Sequence, residues 1–180
     1  MNEAPPRPQV LFDAATIARR VEELAHEIAA SSPPHIAAVV TLTGGFVFAG
    51  DLLRALSRLG VTAETDVMRL SSYARGTASL GEVRLVTDLE MDIENRFVLI
   101  IDDILDTGRT LAFATHHLRG RGAGIVRSCI LLDKPSQRAV DVQPDYVGFV
   151  IPNVFAVGYG LDVAGLYREL PYVGVLPAKE

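Results

Sequence analysis

The chain has 180 residues, of which 49% are apolar, and a formal net charge of −5. This size predicts one globular domain over residues 1–180, with residues 1–9 as a mobile arm. The acidic balance argues against a nucleic-acid partner, and no apolar run is long enough to cross a membrane. A single cysteine, Cys129, excludes an internal disulfide, so we expect a cytoplasmic protein.

The first third of the sequence predicts alternating helices and strands. Residues 13–31 carry apolar side chains at helical spacing behind Asp13, a plausible N-cap. The short β-branched run 35–42 predicts a buried strand, and residues 46–59 predict a second helix that ends at Gly60. The buried face predicted for this second helix consists of Phe46, Ala49, Leu53 and Leu56.

The remaining sequence predicts six more strands and one helix. The strands are expected at 61–70, 82–89, 97–102, 125–133, 146–151 and 172–176, the helix at 110–119, and a loop at 71–81. Alternation of strands and helices predicts an α/β fold with a mostly parallel central sheet flanked by helices. Ligands in such folds bind beyond the carboxyl ends of the strands.

The stretch 98–111, "VLIIDDILDTGRTL", places three carboxylates directly after an apolar run. They belong to Asp102, Asp103 and Asp106. For one aspartate a solvated turn is the ordinary explanation. Three of them next to "TGRT" favour a ligand site, because carboxylates accept hydrogen bonds from sugar hydroxyls and bind Mg²⁺.

The tail of this stretch predicts a cup for a phosphate monoester. Gly108 permits backbone angles that other residues resist, and the amides that open the next helix favour an anion. Thr107 and Thr110 add hydroxyl donors. The G-x-x-x-x-G-K-[ST] pattern of nucleotide-triphosphate loops is absent. A phosphate cup beside carboxylates suits a ribose 5-phosphate.

Several short motifs, taken in their order, resemble the type I phosphoribosyltransferases, and among them the hypoxanthine–guanine phosphoribosyltransferases. They are "LTGGFVFAGDL", "SSY", "VLIIDDILDTG", "LLDKPS", "VGFVIPNVFAVGYGLD" and "YRELPYVG". The resemblance implies the family fold, with a small hood formed by the chain ends. It also implies purine salvage, in which ribose 5-phosphate moves from phosphoribosyl pyrophosphate to N9 of hypoxanthine or guanine, giving IMP or GMP and pyrophosphate. Mg²⁺ is the implied cofactor, and a homodimer or homotetramer the implied assembly.

The resemblance also assigns roles to individual residues. The 5-phosphate would lie on Asp106, Thr107, Gly108, Arg109 and Thr110. The ribose hydroxyls and Mg²⁺ would lie on Asp102 and Asp103, with a second Mg²⁺ on Asp162. Pyrophosphate would contact Thr43, Gly44 and Arg168, and the purine would contact Lys134, Phe155, Ala156 and Asp162. A lid would carry Ser72 and Tyr73.

Two of these roles have a chemical rationale of their own. Asp106 is the candidate general base, because bond formation at N9 makes the purine N7 proton acidic and a nearby carboxylate can accept it. Lys134 has only donors, so it selects an oxygen at position 6 and opposes the amino group of adenine.

Three positions depart from the family pattern. Asp102 stands where the family usually has Glu, Thr43 where a longer basic residue is common, and Ala156 where Val is common. We expect a cis or strained peptide at residues 42–44, turning backbone amides toward pyrophosphate. We also expect segment 71–81 to be mobile without ligand.

Two other functions stay open from sequence alone. A regulatory protein on the same fold would bind a phosphoribosyl ligand to control RNA or DNA binding, but it would need a basic surface. A salvage enzyme that prefers xanthine would share the same motifs.

Overall fold

The computed structural model describes residues 6–72 and 83–176. In chain order its elements are β1 (Gln9–Phe12), α1 (Ala14–Ala29), β2 (His35–Leu42), α2 (Phe46–Arg58), β3 (Thr62–Ser72), β4 (Val83–Thr87), β5 (Phe97–Leu105), α3 (Arg109–Gly120), β6 (Ile125–Asp133), a 3-10 turn (Pro135–Gln137), β7 (Tyr146–Val150), β8 (Ala156–Val157) and β9 (Val173–Val175). Within these two ranges, none of the helices has the length and apolarity that a membrane span requires.

The main sheet has six strands in the order β4-β3-β2-β5-β6-β7. Strand β4 runs antiparallel to β3, and all the other neighbours are parallel. This confirms the predicted α/β fold with a mostly parallel sheet. The carboxyl ends of β2, β5 and β6 meet at one edge, so the segments that follow them, beginning at Thr43, Asp106 and Lys134, leave the sheet side by side.

The strands at the centre of the sheet are buried on both faces. On β2, Ile36 and Val40 pack in the core with α1 and α2, whereas Ala37 and Val39 pack in the core with α3. Burial on both faces explains why the sequence of this strand is apolar almost without interruption.

Local signals at the helix ends were read correctly. The Asp13 carboxylate accepts the backbone N–H of Thr16 (2.7 Å), so this residue caps α1 as predicted. Gly60 follows α2 with a φ of +83°, a conformation that glycine adopts at no steric cost.

The predicted buried face of α2 is partly wrong. The buried side chains are Phe48, Ala49, Leu52, Ala55 and Leu56. Phe46 is 49% exposed and Leu53 is only partly buried. The beginning of this helix, "FVFAGDLL", has apolar residues on several sides, so the spacing alone does not choose between two adjacent stripes.

Two strand ends also differ from the prediction. Strand β5 runs on to Leu105, three residues beyond the predicted end at Asp102, so Asp103 also lies within the strand. Strand β3 runs on to Ser72 and takes two residues from the predicted loop. The rest of that loop, residues 73–81, lies outside the described residues.

The two ends of the chain form a small second sheet in the order β1-β9-β8. Gln9 pairs with Val175 in it, and β9 also pairs with β8. The last predicted strand therefore belongs to this sheet and not to the central one. Its consequence for the site is that β8 fixes the backbone of Ala156, directly after Phe155.

Candidate active site

The turn between β5 and α3, the predicted phosphate cup, has the backbone that the sequence predicts there: a glycine with a positive φ directly before a helix. Gly108 has a φ of +83°. A Cβ there would lie 2.6 Å from the Val142 side chain and 2.9 Å from Arg138 Cδ, so glycine is required for space as well as for conformation. Helix α3 starts at Arg109. The N–H groups of its first turn have no acceptor within the helix, which is the arrangement that favours an anion.

Asp102 and Asp103 form an acidic pair at the carboxyl end of β5. Asp102 is buried, and its Oδ1 accepts the Thr41 hydroxyl and the backbone N–H of Asp103 (2.9 Å). Burial and the charge of Asp103 raise the pKa of Asp102 well above its usual value. Burial also raises the pKa of Asp103, against hydrogen bonds and the charge of Arg168, which lower it. The charge of Arg168 therefore does not offset the effect of burial on the two carboxylates.

The loop after β2 approaches the acidic pair closely. A Cβ on Gly44 would lie 1.7 Å from the Asp103 carboxylate, and one on Gly45 would lie 2.8 Å from the Thr41 carbonyl. The peptide bond between Leu42 and Thr43 is cis, as the sequence analysis expects. Only glycine at position 44 leaves room for the carboxylate beside the backbone.

Gly160 and Arg168 close the other side of this loop. A Cβ on Gly160 would lie 2.2 Å from the Gly44 carbonyl. Arg168 Nη1 donates to the Gly160 carbonyl (2.5 Å), and Nη2 pairs with Asp162 Oδ1 (2.6 Å). The structure therefore brings Gly44, Asp103, Asp162 and Arg168 into one neighbourhood. Asp162, which also accepts the N–H of Gly165 (2.7 Å), is engaged with protein donors.

Lys134 follows β6 and is buried, with only 6% of its surface exposed. Its backbone N–H donates to the Leu105 carbonyl (2.9 Å), which places it beside the phosphate cup. Across residues 6–72 and 83–176, its ammonium group has no hydrogen-bond or ion-pair partner, and the nitrogen keeps some contact with solvent. A solvated loop lysine, the ordinary alternative, does not describe this residue.

Phe155 and Ala156 have opposite environments. Phe155 is 57% exposed, so it is not the core aromatic that an apolar run usually contains. Ala156 is buried in β8. Ser72 ends β3, and its predicted partner in the lid, Tyr73, lies outside the described residues.

Sequence reasoning missed two residues that support the site. Tyr159 donates its hydroxyl to Asp51 (2.5 Å), which joins α2 to the segment that carries Gly160. Burial raises the pKa of this phenol, so it keeps its proton. Arg138 lies behind the phosphate cup and contacts the Asp106 carbonyl (2.7 Å). Tyr159 lies within the motif "VGFVIPNVFAVGYGLD", but the resemblance assigned it no role, and Arg138 lies outside all of the motifs.

The residues fit a hard divalent cation held mainly by substrate. Two adjacent carboxylates with raised pKa values favour a positive partner. The described part of the chain holds no cluster of three or more metal-ligating side chains. A site with two carboxylates and open positions matches Mg²⁺, which usually keeps waters and binds substrate phosphates.

Comparison with known proteins decides the family. The phosphoribosyl transferase domain family matches residues 10–164. The hypoxanthine-guanine phosphoribosyltransferase of Bacillus subtilis is 41% identical over 169 residues, which cover 93% of this chain and 92% of that protein. The chain belongs to the hypoxanthine–guanine phosphoribosyltransferase family.

Solved structures and longer relatives agree with this membership. A hypoxanthine phosphoribosyltransferase of Staphylococcus aureus superposes with a TM-score of 0.86 at 40% identity, covering 94% of this chain and 91% of that chain. The Trypanosoma cruzi hypoxanthine phosphoribosyl transferase gives 0.88 at 35% identity, covering 98% and 95%. The bifunctional protein TilS/HprT of Listeria innocua is 44% identical over 93% of this chain, which spans 26% of that longer protein.

The acidic pair of this hypoxanthine–guanine phosphoribosyltransferase family member should weaken the fold when no cation is present. Asp102→Asn removes a buried charge but keeps an oxygen for Thr41 and the Asp103 N–H, so we expect unfolding without Mg²⁺ to become harder. The gain should be on the order of 1 kcal/mol, or about 2–4 °C in melting temperature.

The pH dependence of that gain has a defined sign. The folded-state pKa of Asp102 is raised, so the wild type loses stability as pH rises through that pKa, whereas the variant does not. Thermal unfolding of the two chains at pH 5 and pH 8, in the presence of a chelator, measures the gain in stability and its dependence on pH. An Asp102→Asn chain that melts below the wild type at pH 8 would contradict this account of the pair.

Proposed function

We propose that the chain transfers ribose 5-phosphate from phosphoribosyl pyrophosphate to N9 of hypoxanthine or guanine, releasing pyrophosphate. The observation that carries the proposal is the position of Lys134. It is a buried lysine whose ammonium has no partner among the described residues, and its backbone N–H donates to the strand that leads into the phosphate cup. A phosphate site and a donor-only site side by side match a nucleotide with an oxygen on its base.

The phosphoribosyl end of the substrate has three sets of partners in this proposal. The backbone of residues 106–110 binds the 5-phosphate, and Asp102 and Asp103 bind the ribose hydroxyls and Mg²⁺. Mg²⁺, when bound, neutralises charge on the pyrophosphate that leaves. Residues Thr43, Gly44 and Arg168 contact that pyrophosphate; arginine suits phosphate oxygens because its planar fork donates twice.

Asp162 is proposed as the ligand of a second Mg²⁺ and a contact of the purine side. Its ion pair with Arg168 (2.6 Å) fits this role only if pyrophosphate takes over the arginine. Pyrophosphate oxygens would then replace Asp162 at the guanidinium of Arg168. The carboxylate of Asp162 would be free to bind the cation.

The purine end is recognised by donors, by stacking and by shape. Lys134 donates to O6, the exposed ring of Phe155 stacks on the base, and Ala156 bounds the pocket beside it. Asp106 accepts the N7 proton as N9 bonds to C1′. Because C1′ gains positive character as pyrophosphate leaves, the carboxylates around the sugar also stabilise the transition state. Ser72 and Tyr73 are proposed to cover the pyrophosphate during transfer.

A panel of bases tests this function. The purified chain with phosphoribosyl pyrophosphate and Mg²⁺ should release pyrophosphate with hypoxanthine, guanine or both, and about a hundredfold or more slowly with adenine, because an amino group leaves the Lys134 ammonium unpaired. Removing Mg²⁺ with a chelator should stop the reaction. Comparable rates with adenine would overturn the role of Lys134.

The same assay separates the alternatives. Fast release with xanthine alone would favour a xanthine enzyme. Binding of phosphoribosyl pyrophosphate without transfer to any base would favour a regulatory protein. We further propose that the chain is cytoplasmic and forms a homodimer or homotetramer. Light scattering of the purified protein would test the assembly.

A further inference from the structure

We propose that Arg138 is a positioning residue that makes the 5-phosphate site and the purine site assemble as one unit. The phosphate loop is defined here as residues 106–110, and the lysine segment as residues 133–140. Arg138 belongs to the lysine segment but reaches the phosphate loop. The inference rests on the proposed function, because it concerns how the two halves of that site are held together.

The side chain of Arg138 bridges the two segments. One end of its guanidinium pairs with Asp133, the residue directly before Lys134, and the other end donates to the Asp106 carbonyl (2.7 Å). Little of the ion pair is exposed: 11% of the Arg138 side chain and 8% of the Asp133 side chain. Its Cδ also fills the space beside Gly108, where a Cβ would come within 2.9 Å. The arginine thus contacts the phosphate loop through both charge and shape.

Backbone bonds join the same two segments. The N–H of Lys134 donates to the carbonyl of Leu105, the residue directly before the phosphate loop (2.9 Å). The N–H groups of Ala139 and Val140 both donate to the Thr107 carbonyl (2.9 and 3.2 Å). In all three bonds the donor N–H belongs to the lysine segment, and the acceptor carbonyl belongs to the phosphate loop or to the residue directly before it. A shift of one segment therefore moves the other.

Arg138 differs from these backbone bonds because it is anchored on both sides of Lys134. Its own residue follows the lysine by four positions, and Asp133 precedes it by one. The Asp133 carbonyl in turn accepts the N–H of Ile151 (2.8 Å), at the end of β7. The guanidinium consequently closes a ring around the turn that presents Lys134, and ties that ring to the backbone of Asp106.

Stability alone is a weak reason for this arrangement. Taking both charges out of water is unfavourable, and a buried ion pair often contributes no more than apolar residues of the same volume. The Nε of Arg138 is buried and has no hydrogen-bond partner, so the guanidinium is not even fully satisfied. What the arginine supplies is geometry: a planar fork that holds one carboxylate and one carbonyl at a fixed separation.

The expected consequence is coupling between the two ends of the ligand. Binding of a phosphate at residues 106–110 orders the carbonyls that hold the lysine segment, and the lysine then meets the purine in its correct place. A nucleotide should gain more affinity over its nucleoside in the wild type than in a chain whose bridge is broken.

Two variants and a matched control test this. Arg138→Lys keeps a cation for Asp133 but cannot reach both partners, and Arg138→Gln removes the charge. The control is Arg127→Lys, near the start of β6, the strand whose last residue is Asp133; there Arg127 pairs with Asp145 (2.5 Å) and is half exposed. Melting temperature, kcat, both KM values and the affinities for GMP and guanosine would be measured for each chain.

We expect Arg138→Lys to melt close to the wild type but to raise the KM for both substrates. It should also shrink the GMP-to-guanosine affinity ratio by about tenfold or more, the effect of one lost bond from a charged donor. Arg138→Gln should lower the melting temperature and the affinity ratio further and raise both KM values further. Arg127→Lys should change none of these quantities.

The outcomes distinguish this inference from the function on which it rests. If the Arg138 variants lower the melting temperature but keep the wild-type affinity ratio and KM values, Arg138 is only structural and the inference is overturned. If Arg138→Gln does not fold, Arg138→Lys still decides the question. A wild type that transfers nothing and binds neither ligand overturns the proposed function, and this inference with it.

Discussion

Asp106→Asn should lower kcat by about a hundredfold or more, the usual effect of removing a general base, while the KM for phosphoribosyl pyrophosphate changes little. The carboxylate is on an exposed residue of the phosphate loop, whereas the backbone of the same residue is held by Arg138 through its carbonyl (2.7 Å). Asparagine keeps that carbonyl and the neighbouring amides. The variant therefore removes the proton acceptor and leaves the phosphate cup in place.

Single-turnover kinetics, in which chemistry is observed directly, measure the effect. Asp141→Asn is a matched control, because Asp141 is an exposed carboxylate whose neighbours Val140 and Val142 lie next to Gly108. It should leave kcat unchanged. An unchanged single-turnover rate in Asp106→Asn would show that another group accepts the N7 proton.

Lys134→Gln should lower kcat/KM for hypoxanthine and guanine by about a hundredfold or more, and should lower it much less for adenine. The Lys134 ammonium donates only, so its loss removes the charged hydrogen bond proposed with O6. Glutamine both donates and accepts, and no longer rejects an amino group. Discrimination between 6-oxopurines and adenine should therefore collapse even though the absolute rates fall.

Lys134→Met is the companion variant, because it matches the volume of lysine and has no donor. Lys134→Met should lower kcat/KM for hypoxanthine and guanine. Its kcat/KM for adenine should not exceed that of Lys134→Gln. The ratios of kcat/KM for guanine and adenine in the three chains give the answer. A Lys134→Gln chain that keeps the wild-type ratio would show that another residue selects the base.

The fold could be predicted from the sequence wherever the local pattern of apolar residues matches the burial of the element. The run 35–42 is apolar because both faces of β2 are buried, so its pattern identified a central strand. The stripe of α2 was misjudged at Phe46 because "FVFAGDLL" is apolar on more than one side. The pairing of Gln9 with Val175 was not predicted, because two short strands at opposite ends of the chain carry no local signal of each other.

The site was predicted to the extent that it lies in contiguous motifs. Gly108 and the helix behind it follow from the letters "DTGRT". The burial of Lys134 does not, because it depends on the tertiary fold, in which β5 and β6 end side by side and the Lys134 N–H meets the Leu105 carbonyl. The bridge made by Arg138 is hidden for the same reason: an arginine in a polar loop reads as solvated until the sheet brings that loop against the phosphate cup.

The most direct test of ribose 5-phosphate transfer is the stoichiometry of products. The chain is mixed with guanine or hypoxanthine, phosphoribosyl pyrophosphate and Mg²⁺, and the nucleoside monophosphate and pyrophosphate are quantified from the same sample. Our account predicts equal amounts of the two with at least one of these bases, and neither product above background with Asp106→Asn over the same short interval. Pyrophosphate without nucleotide, or no product with either base, would contradict it.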